Sequence, residues 1–133
     1  MVGADLELLE FDRVMNYAFR IAGRHEHKIA LVMLGGKERE LRTRSVLSRF
    51  FRRSDEVAEL RQCSAVFLWE TDLGGAQRAI QRYKSADDRA SLMAFSVSSF
   101  PDDGTSTRVV FTTAFRRFDA ACQEEPGAVV ANG

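Results

Sequence analysis

The segment that decides the fold is residues 52–76, RRSDEVAELRQCSAVFLWETDLGGA. It contains two short apolar strands, over 57–60 and 65–69, and the polar residues between them predict a tight turn. Asp72 follows the second strand, at a place where an aspartate favours the N-cap of a helix. The apolar residues of that helix recur on one face, at Leu73, Ala76, Ile80 and Tyr83. The segment therefore predicts a β-hairpin that leads directly into an amphipathic helix.

Helices and strands are predicted on both sides of this hairpin. Apolar spacing and turn residues predict six further elements: helices over 5–22, 38–54 and 107–122, and strands over 28–34, 91–100 and 128–131. Gly23 suits the end of the first helix, because glycine adopts the left-handed conformation without strain. The strand over 28–34 is a continuous apolar run, which is typical of a buried central strand.

Two of these helices carry more specific expectations. In the helix over 38–54, we expect Leu47, Phe50 and Phe51 to face inward and the arginines to face outward. The segment 107–122 begins with β-branched residues that favour a strand. Its apolar positions nevertheless recur at intervals of four, three and four, at Phe111, Phe115, Phe118 and Cys122. This spacing favours a helix with Cys122 on its inner face.

The resulting order of elements is α-β-α-β-β-α-β-α-β, without repeats, linkers or low-complexity tracts. A strand, a helix, a hairpin, a helix and a further strand make up the βαββαβ arrangement of ferredoxin-like domains. We therefore predict one α+β domain over 1–133, with an antiparallel central sheet flanked by helices. The C-terminal segment EEPGAVVANG also suits a domain excised from a larger protein.

Charge and composition limit the classes of partner. The chain has 133 residues, of which 19 are basic and 19 acidic, so its formal net charge is zero. Bulk attraction to DNA, RNA or an anionic membrane is therefore not expected. No apolar run has the length needed to span a bilayer, and the N-terminus does not resemble a signal peptide. Cys63 and Cys122 match no metal or redox spacing and are typical of reduced thiols in a cytoplasmic protein.

Several other features have simple structural explanations. His25 and His27 flank Glu26 and are expected in a solvated loop, because two histidines without a further partner are weak evidence for a metal site. Gly35-Gly36 lacks the spacing and the Lys-Ser/Thr of a phosphate-binding loop, so we expect a loop that leaves a strand. Cys63 is expected as a small residue in an exposed turn. The residues alone thus predict neither a metal ion nor a cofactor.

The order of elements, with a hairpin in its middle, resembles the GGDEF domain of diguanylate cyclases. The resemblance is carried best by residues 52–76, which follow the family's order of an R-x-x-D motif, a strand, the five-residue signature, a strand and a turn into a helix. SVSSFPDDGTS, residues 96–106, resembles the family's next strand and turn, and PGAVVANG its last short strand. The resemblance implies the ferredoxin-like core of the nucleotidyl cyclase type and a relation to cyclic di-GMP.

The positions that carry catalysis in this family differ here. Where the family has Gly-Gly-Asp/Glu-Glu-Phe, the sequence has RQCSA over 61–65, and its Cys63 and Ser64 supply no carboxylate. The family's metal-binding aspartate at the end of the first strand corresponds to 34–36, Leu-Gly-Gly. The guanine-binding segment that follows is missing. Because this phosphoryl transfer requires bound metal ions, we expect no enzymatic activity.

The family's allosteric site offers a different function. It binds cyclic di-GMP through R-x-x-D and an arginine from the helix after the hairpin, and these residues correspond to Arg52, Asp55 and Arg82. The resemblance thus implies an inactive domain that acts as a cyclic di-GMP receptor. Alternatives remain a module for dimerisation or for contact with another domain or protein, and a residual nucleotide-converting enzyme. An interpretation without ligand binding is that Arg52 and Asp55 form a surface ion pair and that Arg82 is a solvated helix residue.

Overall fold

The computed structural model describes Arg13, Asn16, Phe19, Arg20 and residues 28–51 and 54–133, without the side chains of residues 54 and 55. The strands are β1 (Ile29–Gly35), β2 (Ser54–Glu59), β3 (Ser64–Trp69), β4 (Ala94–Phe100) and β5 (Val129–Val130). The helices in 28–51 and 54–133 are α1 (Arg44–Phe50), α2 (Leu73–Ala86) and α3 (Thr107–Gln123). Short 3-10 helices, Arg39–Arg42 and Ala90–Leu92, precede α1 and β4.

The strands form one mixed sheet in the order β2-β3-β1-β4-β5. β1 pairs antiparallel with β3 and β4, and β2 pairs antiparallel with β3. The βαββαβ core predicted from the sequence is confirmed. The predicted antiparallel central sheet is confirmed for β2, β3, β1 and β4. The whole sheet is mixed, because the chain crosses through α3 and adds β5 parallel to β4 at the sheet edge. A helical crossover between neighbouring strands gives a parallel pair.

Helices cover the sheet on both faces. The seven residues of the central strand, β1, are all buried, which explains why its sequence is apolar without alternation. One face packs against α3, and its core includes Leu31, Met33, Phe67, Phe111 and Phe118. The other face packs against α1 and α2, and its core includes Val32, Leu34, Leu47, Ile80 and Tyr83. The cleft described below lies on the α1 and α2 side.

The helix predicted over 38–54 is shorter than expected. Residues Arg39–Arg42 form a 3-10 helix, and α1 begins only after Thr43, whose hydroxyl accepts a hydrogen bond from the Val46 amide. The helix ends at Phe50, and β2 already begins at Ser54, three residues before the predicted strand. Within the helical segment the prediction that arginines face outward is wrong for Arg42, which is 2% exposed.

Other predicted elements are close to the observed ones. The strand predicted over 91–100 begins at Ala94, because Ala90–Leu92 forms a 3-10 helix. α3 confirms the helix predicted over 107–122, and β5 confirms the edge strand. Leu73, predicted on the buried face of its helix, is 37% exposed because it lies in the first turn, and Ala79 is buried in addition to the predicted residues.

Most of the helix predicted over 5–22, with its end at Gly23, lies outside the described residues, as do His25 and His27. The described positions in this segment, Arg13, Asn16, Phe19 and Arg20, have helical backbones. Phe19 is buried, and its ring centroid lies 4.7 Å from that of Phe100. The ring of Phe19 thus belongs to the core on the α3 side of the sheet.

Candidate ligand-binding cleft

A cleft of about 400 Å³ opens between the end of β3 and the first half of α2. Its floor is apolar and consists of Leu68 from β3, Ala79 from α2 and Phe51, which follows α1. All three residues are buried. Because the floor residues come from three packed elements, the core itself holds the floor in place.

Two arginines of α2 line this cleft. Arg78 and Arg82 lie four residues apart, one turn along the same helix face, and both are exposed. Arg82 Nη2 donates a hydrogen bond to the Phe50 carbonyl oxygen at 3.3 Å. Since guanidinium groups remain charged at any physiological pH, the helix gives the cleft a cationic wall.

Acidic side chains lie on the loop between β3 and α2. Asp72 is the predicted N-cap of α2, and its Oδ1 accepts a hydrogen bond from the Gly75 amide at 2.8 Å. This hydrogen bond lowers the pKa of Asp72 below its ordinary value. Glu70 lines the cleft from a left-handed backbone conformation, with φ of 52°. Such conformations cost about 1 kcal/mol or more in residues other than glycine, asparagine or aspartate and are frequent at binding sites.

The structure describes the three predicted site residues to different extents. Arg82 lines the cleft. Asp55 lies in β2, where Ser54 pairs with Leu68 of the cleft floor and Glu56 with Phe67. Asp55 is therefore the extra residue of a β-bulge on the strand next to the cleft floor. Arg52 lies outside the described residues, although it follows the floor residue Phe51 directly in sequence.

The side chain of Arg42 donates hydrogen bonds to the turn of the β2–β3 hairpin. Its Nη1 donates to the Leu60 carbonyl oxygen at 3.0 Å, and its Nη2 donates to the Arg61 carbonyl oxygen at 2.9 Å. Nη1 also donates to the Ser64 hydroxyl, which donates to the Arg42 carbonyl oxygen at 2.6 Å. Burial lowers the pKa of Arg42. The buried guanidinium thus fastens the 3-10 helix before α1 to the hairpin turn.

The end of β1 packs directly against this turn. Leu34 pairs with Ser64, and a β-carbon placed on Gly35 would lie 2.6 Å from the Gln62 carbonyl oxygen and 2.9 Å from the Phe118 ring. Gly35 is therefore required for close packing between the strand end, the hairpin and α3. The prediction of a loop at Gly35-Gly36 is therefore wrong for Gly35, which is the last residue of β1, whereas Gly36 follows the strand.

Cys63 is buried rather than exposed, so the prediction of an exposed turn thiol is wrong. It is 5% exposed, because the turn folds onto the end of β1 and α3. Burial raises the pKa of its thiol to about 11. The prediction for Cys122 is also wrong: its spacing in α3 predicted an inner position, but the residue is exposed. Both thiols are free, as predicted.

Two functional candidates were missed at the level of the sequence. Arg78 could have been found from its spacing, because it lies four residues before Arg82 on the same helix face. Arg42 left no such signal: its helical context predicted exposure, and its partners lie 18 to 22 residues away in sequence. Among the described residues, no group of three histidine, cysteine or carboxylate side chains could hold a metal ion.

Structural comparison identifies the fold. No protein-family model and no curated protein matches the chain. Solved structures do: the GGDEF domain of YfiN (TpbB) from Pseudomonas aeruginosa is 16% identical, with a TM-score of 0.74 and 94% of each chain covered. The GGDEF domain of FimX from the same organism is 14% identical, with a TM-score of 0.67, covering 92% of this chain and 91% of the FimX domain.

A third similar structure contains a ligand. The GGDEF domain of DgcB from Caulobacter crescentus, in complex with cyclic di-GMP, is 12% identical, with a TM-score of 0.64, covering 91% of this chain and 85% of the DgcB domain. At these identities the comparisons establish the fold alone. The chain thus has the α+β fold of GGDEF domains. None of the helices in the described part of the chain combines the length and apolar character needed to cross a bilayer.

Proposed function

We propose that this chain is a catalytically inactive domain of the GGDEF fold that binds cyclic di-GMP through Arg52, Asp55 and Arg82. The observation that carries the proposal is the cleft beside α2, which has an apolar floor and a wall of arginines. The strand that contains Asp55 pairs with the strand that supplies the floor.

The chemistry of the ligand suits this cleft. Cyclic di-GMP combines two phosphates with two guanine bases, so its site requires cations, an acceptor for guanine N–H groups and an apolar surface. A guanidinium offers a planar fork of donors to a phosphate or to the edge of guanine, and it can stack on a base. A carboxylate such as that of Asp55 accepts from guanine N–H groups. Leu68 and Phe51 lie in the floor of the cleft.

The hairpin turn and the end of β1 support the proposed absence of catalysis. Metal-dependent phosphoryl transfer requires carboxylates that hold the ions. Cys63 and Ser64 occupy the turn, and Leu34 and Gly35 end β1, so these positions supply none. The carbonyl oxygens of the turn are engaged by the Arg42 guanidinium.

The similar structures favour the same ligand. The DgcB domain was solved with cyclic di-GMP, and a further structure of this fold is described as a novel mode of interaction between a GGDEF domain and cyclic di-GMP. This chain shares the fold with them and retains the R-x-x-D pattern at Arg52 and Asp55. The fold thus accommodates the ligand in more than one protein.

The proposal is tested by comparing the affinities of single variants for cyclic di-GMP. A charge-assisted hydrogen bond contributes about 1.5–3 kcal/mol, so Arg52→Ala, Asp55→Ala and Arg82→Ala should each weaken binding about tenfold or more. Arg108→Ala is the control, because Arg108 is exposed on α3, on the opposite side of the sheet from the cleft. Equal affinity for all four variants and the wild type would contradict the proposed site. A folded wild-type chain without measurable binding would instead favour an interaction module.

A further inference from the structure

The cleft contains a second arginine that the proposed triplet does not use. Arg78 lines the cleft together with Arg82, one turn nearer to the start of α2. The inference drawn from it rests on the proposed function, since it concerns the ligand of the same cleft.

The two guanidinium groups lie toward opposite ends of the cleft. Arg82 extends toward α1, where its Nη2 donates to the carbonyl oxygen of Phe50. Arg78 extends the other way, over the first turn of α2. A β-carbon built on Gly74 would lie 3.4 Å from Arg78 Nη1, and one built on Gly75 would lie 3.7 Å from Arg78 Nη2. The cationic groups are thus separated along the helix rather than gathered at one point.

Between them, the floor consists of Phe51, Leu68 and Ala79, and all three are buried in the core. The side chains of Glu70, Thr71 and Asp72 line the side of the cleft formed by the end of β3 and the loop before α2. The floor can contact a flat base, whereas an anionic group at the same place would lose its hydration without gaining a hydrogen bond. The anionic groups of a ligand therefore belong at the two ends of the cleft, and a base belongs over its floor.

We propose that Arg78 is a second anion-binding residue of this cleft, so that the cleft selects a dinucleotide with two separated phosphates over a mononucleotide. One phosphate lies near Arg82 and the other near Arg78. A mononucleotide carries phosphate at one position and can engage only one of the two arginines at a time.

A competing role for Arg78 is purely local. Its guanidinium lies near Asp72, since the carboxylate Oδ1 is 3.6 Å from the β-carbon position of Gly74, and the charge of Arg78 contributes to lowering the Asp72 pKa. If Arg78 serves only to balance Asp72, its removal changes the pKa of Asp72 and leaves the affinity for nucleotides unchanged. Nucleotide affinity therefore distinguishes the two roles.

The experiment measures the affinities of cyclic di-GMP, cyclic di-AMP and cyclic GMP for the wild type, Arg78→Ala, Arg78→Gln, Arg82→Ala and the control Arg108→Ala. We expect either Arg78 variant to weaken binding of the cyclic dinucleotide about tenfold or more. We also expect its preference for the dinucleotide over cyclic GMP to fall, while Arg108→Ala behaves as the wild type. Circular dichroism establishes that each variant is folded.

The outcomes separate this inference from the proposed function. Loss of cyclic di-GMP binding in Arg82→Ala with unchanged binding in both Arg78 variants would overturn the inference and leave the receptor function intact. Binding of cyclic di-AMP that depends on Arg78, without binding of cyclic di-GMP, would support the inference and overturn the proposed ligand. Absence of binding of either cyclic dinucleotide to the wild type would overturn both.

Discussion

Arg42 and Ser64 hydrogen-bond to each other in both directions: the guanidinium donates to the serine hydroxyl at 3.1 Å, and that hydroxyl donates to the arginine carbonyl oxygen at 2.6 Å. Both residues are buried. The pair joins the segment after β1 to the hairpin turn, where GGDEF domains carry their signature. Ser64, which supplies no carboxylate where the turn meets β3, thus has a structural role.

Arg42→Met should destabilise the fold, because it leaves the carbonyl oxygens of Leu60 and Arg61 without their donor. The free energy of unfolding should fall by about 2–4 kcal/mol, as expected for the loss of several buried hydrogen bonds to a charge. Urea denaturation measures this. Arg39→Met is the matched control, because Arg39 lies in the same 3-10 helix and is exposed. Equal stability of the two variants would contradict a structural role for the Arg42 guanidinium.

The purified protein should make no cyclic di-GMP from GTP with Mg²⁺ or Mn²⁺. The reason is that Leu34, Gly35, Cys63 and Ser64 place no carboxylate where the strand end meets the turn. Chromatography of the reaction mixture measures the product. Turnover above that of a sample without protein would contradict the inactive site.

The two thiols should differ in reactivity. Cys122 is exposed and should react with an aromatic disulfide reagent in the native protein at pH 8, whereas Cys63 is buried and protonated at that pH and should react only after unfolding. The absorbance of the released aromatic thiolate measures how many thiols react before and after unfolding. Rapid reaction of both thiols in the native state would contradict the burial of the turn.

The raised pKa of Cys63 also predicts a pH dependence of stability. Because folding raises this pKa from 9.0 to about 11, the neutral thiol is favoured in the folded state. The corresponding stability is complete below pH 9 and is lost as the pH rises toward 11. The free energy of unfolding should therefore fall less over this range in Cys63→Ala than in the wild type. Parallel pH profiles of the two proteins would contradict a buried titrating thiol.

The sequence predicted the order of helices and strands in the core because each strand and helix has its own local pattern. The apolar run of β1, the hairpin and the Asp72 N-cap are all local signals, and the structure confirms them. The parallel β5 and the burial of Arg42 depend on contacts between distant segments, which periodicity does not record. Arg42 can be buried because its Nη1 and Nη2 groups donate to carbonyl oxygens of a turn 18 to 19 residues away.

In the candidate site, too, local signals could be predicted from the sequence and contacts between distant segments could not. Arg82 could be placed at the cleft from its position in the helix after the hairpin, and Arg78 follows from the i, i+4 spacing of a helix. The burial of Cys63 could not be predicted, because it results from tertiary packing of the turn against Gly35 and Phe118. The role of Arg52 and Asp55 in binding stays a prediction.

Asp103 and Arg117 form a largely buried ion pair outside the cleft, with an Oδ1–Nη2 distance of 2.8 Å. Asp103 also accepts from the Ser99 amide, and Arg117 donates to the Val97 carbonyl oxygen. Asp103→Ala leaves the Arg117 charge buried without its counterion. We expect a loss of about 3–5 kcal/mol in the free energy of unfolding at neutral pH.

The exposed neighbour Asp102 provides the matched control for this ion pair, because Asp102→Ala changes the net charge equally. Although burial alone would raise the pKa of Asp103, hydrogen bonds from Arg117 and Ser99 lower it overall. The stability from this carboxylate is therefore present above pH 4 and is lost in more acidic solution. Thermal denaturation at pH 7 and pH 3 measures both effects. Equal losses in the two variants at pH 7 would contradict a specific role for Asp103.

The central claim is tested most directly by calorimetric titration of the wild-type protein with cyclic di-GMP at physiological ionic strength. We expect saturable heat in the micromolar range or below. We also expect the heat to disappear or to shift to about tenfold higher concentrations when Arg82 is replaced by alanine. No heat and no chemical-shift change up to high micromolar cyclic di-GMP, with a folded protein, would contradict the receptor function.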